Sequence, residues 1–273
     1  MTLSNLLRSA ACLSLLCWSL PAAAQAAPAP AGPTAVQDDE MPDKREEVKE
    51  MLANLKGHAG KRGKEDTEAI AIIDTLIKEF ENSGPKDRAS IVKGIGNTFK
   101  EKRGENAEGV RQNQLFMASA TALGLMAPES VKTLQSWIGH KSHRKDLAVQ
   151  RVLILSLGDS KDPKAAKTLI DLLVHKDAIL QGAAAEALGK YDGADEKLRK
   201  DAFENILKQL TGTKTQMDAD PQDRIARERY DAIAAPMSTA LAVLSGQKSR
   251  TPEEWRRFWN KNKKKDWDED LED

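Results

Sequence analysis

The stretch that decides the fold is Leu147-Ala148-Val149-Gln150-Arg151-Val152-Leu153-Ile154-Leu155-Ser156-Leu157-Gly158, followed after a short turn by Asp162-Pro163-Lys164-Ala165-Ala166-Lys167-Thr168-Leu169-Ile170-Asp171-Leu172-Leu173. Ala148, Val152 and Leu155 recur at helical spacing in the first half, and Ala166, Leu169, Ile170 and Leu173 do so in the second. The two halves therefore read as helices that face one another. Asp162 offers an N-cap oxygen, and Pro163 sits where its missing amide costs nothing. The first half ends in Ser156-Leu157-Gly158, and the phrase recurs as Ala122-Leu123-Gly124 and Ala187-Leu188-Gly189. The three glycines, at 124, 158 and 189, are 34 and 31 residues apart. That is the period of a helix-pair repeat. A unit of this size cannot bury its apolar face alone, so the expected architecture is a stacked solenoid.

The same pattern extends in both directions. A first helix after Asp43 carries Val48, Met51, Leu52 and Leu55 on one face and stops at Gly57-His58-Ala59-Gly60. Residues 66–82 space Ile70, Ile73, Leu76, Ile77 and Phe80, and Ile91, Val92 and Ile95 follow after Gly84-Pro85. Helix pairs are expected at 109–124 with 128–139, 145–157 with 163–175, 177–189 with 195–210, and 221–245 with 252–264. Asp220-Pro221 and Thr251-Pro252 repeat the start signal, and Thr251-x-x-Glu254 is a capping box. No segment sustains the alternation of a strand. The fold class expected is all-α, a right-handed α-solenoid of about five stacked antiparallel helix pairs.

The first residues have the layout of a secretory signal. Arg8 precedes an apolar run from Ser9 to Leu20, Pro21 breaks it, and small residues follow through Ala26. Cleavage is expected near Ala24 or Ala26, giving an exported, periplasmic or secreted protein. The run is shorter than the ~20 residues needed to span a bilayer, so no membrane span is expected after cleavage. The expected organisation is a signal peptide at 1–26, a Pro/Ala-rich linker at 27–43, the solenoid at 44–265, and an acidic disordered tail at 266–273.

Composition narrows the function classes. Both cysteines, Cys12 and Cys17, fall inside the signal, so the mature chain has no disulfide framework, thiolate metal site or thiol nucleophile. The 42 basic and 42 acidic side chains balance, which gives no global pull toward nucleic acid or an anionic membrane. Nucleic-acid binding, by the basic face that some helical-repeat glycosylases use, is therefore not expected.

The unit Leu147-Ala148-x-x-Arg151-Val152-x-x-x-Leu155-x-Leu157-Gly158, then Asp162-Pro163-x-Ala165-Ala166-x-x-Leu169-Ile170-x-Leu172-Leu173, resembles a HEAT repeat of the armadillo-type class. It is similar to the shorter variety found in phycobilisome-lyase-type proteins. The resemblance is good over residues 115–210, partial over 66–100 and loose over 221–265. Thr251 to Trp259 resembles the tryptophan-bearing segment that closes such arrays in some secreted bacterial proteins. The resemblance implies a scaffold with the second helix of each pair lining its inner surface. Lys132, Gln135, Lys167 and Lys208 are the expected partner-binding positions there.

Other candidate residues have plainer readings. Trp255, Phe258 and Trp259 share one helix face and are expected to cover the open end of the stack. Trp267 lies between Lys263-Lys264-Lys265 and the acidic end, and is read as a partner contact in a flexible tail. His140-x-x-His143 has the spacing of a metal pair, but its neighbours are Lys141, Arg144 and Lys145, so an exposed turn is expected. Gly57 to Lys64 fails the spacing of a phosphate loop, and Gly94-x-Gly96 has no strand before it. No catalytic, cofactor or metal site is expected. The function expected is an exported noncatalytic scaffold for protein–protein interaction, with a protein partner. The alternative is an accessory or lyase-like protein that holds a chromophore or client chain for an enzyme.

Overall fold

The structure is a computed structural model in which residues 41–105, 111–248 and 250–269 are described. The expected signal peptide and nearly all of the expected linker lie outside the described residues. The described residues form eleven α-helices: α1 (Glu46–Ala59), α2 (Asp66–Glu81), α3 (Pro85–Asn97), α4 (Gln114–Gly124), α5 (Val131–Trp137), α6 (Leu147–Asp159), α7 (Pro163–Leu172), α8 (Ala178–Leu188), α9 (Glu196–Ala219), α10 (Arg224–Ser245) and α11 (Pro252–Asn262). Short 3-10 turns follow α3 at Thr98–Lys100 and α8 at Gly189–Tyr191. No strand forms among the described residues, where Glu105 and Arg111 make an isolated bridge.

Two layers run through this array. The even helices α2, α4, α6, α8 and α10 pack in succession, and the odd helices from α1 to α11 pack in succession beside them. A single buried apolar cluster runs between the layers from Val48 to Trp267. This is an all-α, HEAT-like solenoid.

The glycines that mark the period do not terminate helices by turning the chain. None of the three has a positive φ. Each instead lies where the next even helix comes closest. A Cβ on Gly124 would sit 3.0–3.2 Å from backbone and Cβ atoms of Ser156, and one on Gly158 would sit 2.7 Å from both Cα and Cβ of Ala187. A Cβ on Gly189 would lie 3.3 Å from Ala240 Cα. The residue that receives one glycine, Ser156 or Ala187, opens the small-Leu-Gly phrase of the next unit. The leucine between them, Leu123, Leu157 or Leu188, is fully buried. Each such leucine contributes about 1.5–3 kcal/mol of burial. The phrase thus encodes one interface three times.

This close approach belongs to the even layer. The odd helices, expected to line an inner surface, are the more loosely spaced set, joined through side chains such as Gln135 and Thr168. The reason is side-chain size: α8 buries Gly182, Ala183, Ala184, Ala185 and Ala187, which allow backbones to meet.

The caps explain most helix starts. Asp162 accepts from the Lys164 amide at 2.7 Å, and both halves of the Thr251–Glu254 capping box are made. Asp146, Asp177, Asp195 and Asp223 cap α6, α8, α9 and α10 in the same way. Two boundaries differ from expectation. Helix α9 continues to Ala219, nine residues past the expected end, because α10 packs along it. Helix α10 starts after Asp223, while Asp220 closes a turn by accepting from the Gln222 amide at 2.9 Å. Asp43 caps α3 across the fold, accepting from the Lys86 and Asp87 amides at 3.2 and 2.7 Å.

Candidate functional site

The loosely packed odd layer opens on both sides of α3. Between α1 and α3 lies a cavity of about 500 Å³ with Leu52, Leu55 and Ala59 in its wall and Lys56 and Glu101 at its edge. Between α3 and α5 lies a second, of about 530 Å³, lined by Val92, Thr133 and Trp137 among others. Lys93, Asn97 and Lys100 border both, so α3 forms a ridge between two furrows.

Local sequence builds this ridge. Gly94 and Gly96 lie on different sides of α3: a Cβ on Gly94 would meet Leu52 Cδ2 at 2.5 Å, and one on Gly96 would meet Thr133 Cγ2 at 2.7 Å. The Gly-x-Gly that carries no dinucleotide signal therefore serves packing against α1 and α5. Lys93 and Lys100 are exposed. The Lys100 ammonium donates to Asn97 Oδ1 at 2.7 Å. Of the nearby acids, Glu129 is engaged by Arg88 at 3.4 Å.

The expected partner-binding residues are spread along the odd layer. Lys132 is exposed on α5, Lys167 on α7 and Lys208 on α9. Lys167 pairs with Asp171 one turn on, at 3.5 Å. Such an exposed pair contributes little. Gln135 donates to Thr168 Oγ1 at 2.9 Å and to the Lys164 carbonyl at 3.3 Å, so it holds α5 to α7. The structure brings none of these into one pocket.

Trp267 is corrected. It is 4% exposed, its indole N–H donates to the Asn262 carbonyl at 3.1 Å, and its amide donates to Glu196 Oε1 at 2.8 Å. Its ring packs against Phe203 at 5.2 Å and Trp259 at 6.0 Å. Asp268 adds an ion pair with Arg199. Residues 266–269 are thus folded onto α9 and α11, and 270–273 lie outside the described residues. Trp255 and Phe258 are buried against Phe203, as the end-cap reading requires.

His143 is also corrected. Its ring is 1% exposed and lies among Phe99, Phe116 and Trp137, with Nε2 donating to the Phe99 carbonyl at 2.7 Å. Nδ1 has no partner. Burial holds the imidazole pKa below the ordinary value, with the Phe99 hydrogen bond opposing that shift. The turn faces inward because its ring completes an aromatic cluster joining α3, α4 and α5. Among the described residues, no group of three or more His, Cys, Asp or Glu side chains is placed to hold a metal ion. No helix among them is long and apolar enough to cross a membrane.

A two-layer stack of short helix pairs joined by repeated small-Leu-Gly contacts is a helical repeat protein. The HEAT-repeat family model matches residues 116–189 and 142–208, the span from α4 into α9, and this part of the chain is similar to HEAT repeats. No characterised protein and no solved structure matches the chain.

Proposed function

We propose that the protein is an exported, noncatalytic HEAT-repeat scaffold that binds another protein through its odd layer. The observation that carries this reading is the furrowed ridge at α3, where two clefts flank the exposed Lys93 and Lys100 and the half-buried Leu52. A cleft with an apolar floor and a polar rim can receive side chains of a partner. Export rests on the N-terminal layout of Arg8, the apolar run and the small residues before Gln25 and Ala26.

The test is recovery of the mature protein from its own host envelope at gentle salt, with its first residue determined. The expected result is a start near residue 25 or 27 and a stoichiometric protein companion. Recovery of free monomer alone would overturn the scaffold reading, and a start at Met1 in the cytosolic fraction would overturn export.

A further inference from the structure

We infer that the edge of the stack formed by its odd-to-even turns docks on an anionic lipid surface. Successive helices alternate in direction, so the α1–α2, α3–α4, α5–α6, α7–α8 and α9–α10 turns lie at one edge of the array. The two basic turns that make neither a phosphate loop nor a metal pair both belong to it. Lys61, Arg62 and Lys64 are exposed on the first turn, and Lys141, Arg144 and Lys145 on the third. Residues 57–64 and 139–145 contain no carboxylate. None of these six cations makes an ion pair among the described residues. The opposite edge differs, because Arg88, Lys161 and Lys190 there pair with Glu129, Asp192 and Asp159.

The α3–α4 turn joins the two basic tips into one face. Arg103 donates to the Ala59 carbonyl at 3.0 Å, a Cβ on Gly63 would run into Gln112, and Arg111 donates to the Ser142 carbonyl at 3.2 Å. Neighbouring packed helices lie about 8–10 Å apart, so two steps along the odd layer separate the tips by roughly 20 Å. One phosphate cannot reach both, whereas an extended array of anions can. The acids on this stretch are mostly engaged: Glu65 is held by His58 at 2.9 Å, Asp66 is buried with Arg103, and Asp146 caps α6. Glu101 and Glu105 are offset by the exposed Lys100 and Lys102 beside them.

The rest of the edge selects lipid over other polyanions. Val174, Ile179 and Ile225 are 65%, 51% and 74% exposed, and they stand in the α7–α8 turn or the first turn of α8 or α10. Arg229, one turn after Ile225, donates to the His175 carbonyl at 3.0 Å and ties the start of α10 to that turn. The acids here are also engaged, Asp177 and Asp223 as caps and Asp220 in its own turn. Exposed cations beside exposed aliphatic side chains suit a bilayer surface, with phosphates outermost and acyl chains beneath. A nucleic-acid backbone offers nothing to the aliphatic tips. Protein interfaces favour aromatic side chains and are depleted in lysine, the reverse of this edge. Docked this way, the odd layer stays open to a protein.

Sedimentation of the mature full-length protein with vesicles tests this, using phosphatidylcholine mixed with phosphatidylglycerol and phosphatidylcholine alone. Binding is expected to the anionic vesicles only, weakening as salt is raised. Lys61→Glu/Lys64→Glu and Lys141→Glu/Lys145→Glu should each weaken it about tenfold or more. Val174→Ser/Ile225→Ser, at exposed positions, should weaken it about threefold or more by removing apolar contact. The same charge reversal on the opposite edge, Lys86→Glu/Lys164→Glu, should change it less than about twofold, being more than a screening length away. Circular dichroism shows whether each variant is folded, and the two basic turns are tested independently. Equal binding to both kinds of vesicle, or an equal loss in the opposite-edge variant, would overturn the edge as the site. Binding to a duplex DNA probe that Lys61→Glu/Lys64→Glu abolishes and Val174→Ser/Ile225→Ser leaves intact, with no binding to vesicles, would overturn lipid as the occupant.

Discussion

Gly158→Ala adds one methyl group, and the structure says it has nowhere to go. The new Cβ would stand 2.7 Å from both Cα and Cβ of Ala187 and 2.9 Å from its carbonyl oxygen. Ordinary carbon–carbon separations lie near 3.5–4.0 Å. The overlap is with backbone, so no rotamer change relieves it and α6 must move away from α8. Overpacking of a close-packed interior costs about 1–3 kcal/mol, and backbone collision argues for the upper end. The better helix propensity of alanine returns up to about 1 kcal/mol. The net expectation is a loss of about 2 kcal/mol, or roughly 4–8 °C in Tm for a domain of this size. Gly212→Ala in α9 is the control, since a Cβ there meets nothing within 4 Å. It should gain up to about 1 kcal/mol by the same propensity. Thermal and urea unfolding at 222 nm read both. Gly124→Ala should fall between Gly158→Ala and Gly189→Ala, following their approach distances of 3.0, 2.7 and 3.3 Å. Adding Ala187→Gly to Gly158→Ala should restore only part of the loss, because the backbone of residue 187 still stands in the way. A Gly158→Ala protein as stable as wild type would refute close approach as the reason for the repeat.

Trp267→Ala should destabilise by about 3 kcal/mol, the cost of truncating a buried indole; a urea midpoint within error of wild type would restore the loose-tail reading. Thr251→Ala should cost about 1 kcal/mol by removing the oxygen that accepts from the Glu254 amide at 3.3 Å, measured by the same unfolding curves. His143 gives a pH dependence. Because burial lowers its folded-state pKa, the unfolded chain takes up the proton first, so stability is complete above about pH 6.5 and falls as pH drops below it. The slope from this group is at most about 1.4 kcal/mol per pH unit. His143→Gln keeps a donor for the Phe99 carbonyl and should remove that increment; identical pH profiles for the two proteins would count against a neutral buried imidazole.

The repeat is legible in the sequence because packing imposes it at every interface. Leucine must fill the core and a small residue must admit the next helix, so both recur at the spacing of the unit. Their role is less legible than their spacing. Gly124, Gly158 and Gly189 look like helix stops in one dimension, and only the neighbouring helix shows that they are points of close approach. Caps follow the same division. Asp162 and Thr251 stand before prolines and announce themselves, whereas Asp146, Asp177, Asp195 and Asp223 do not. Asp220 has the proline but closes only a turn. The continuation of α9 through Gly212 shows packing against α10 outweighing a local cost of about 1 kcal/mol.

The two misread aromatic sites share one physical cause. His143 and Trp267 are each embedded in charged residues, and neighbouring charge suggests exposure. Charge in a turn constrains only the groups that carry it. Lys141, Arg144 and Lys145 reach solvent while the ring between them turns inward to a carbonyl 44 positions away. A tryptophan in a charged tail gains more by burial than any nearby residue. Lys200, over its ring at 5.8 Å, and Arg199, paired with Asp268, then hold the charged flanks against α9. The α3 ridge lies beyond such local reasoning altogether. Lys93 sits on an ordinary amphipathic helix and Lys100 on the 3-10 turn after it, and the furrows lie between α3 and its neighbours α1 and α5. A furrowed face of this kind is not announced by any local motif, and it becomes visible only when Gly94 and Gly96 are seen to face different neighbours.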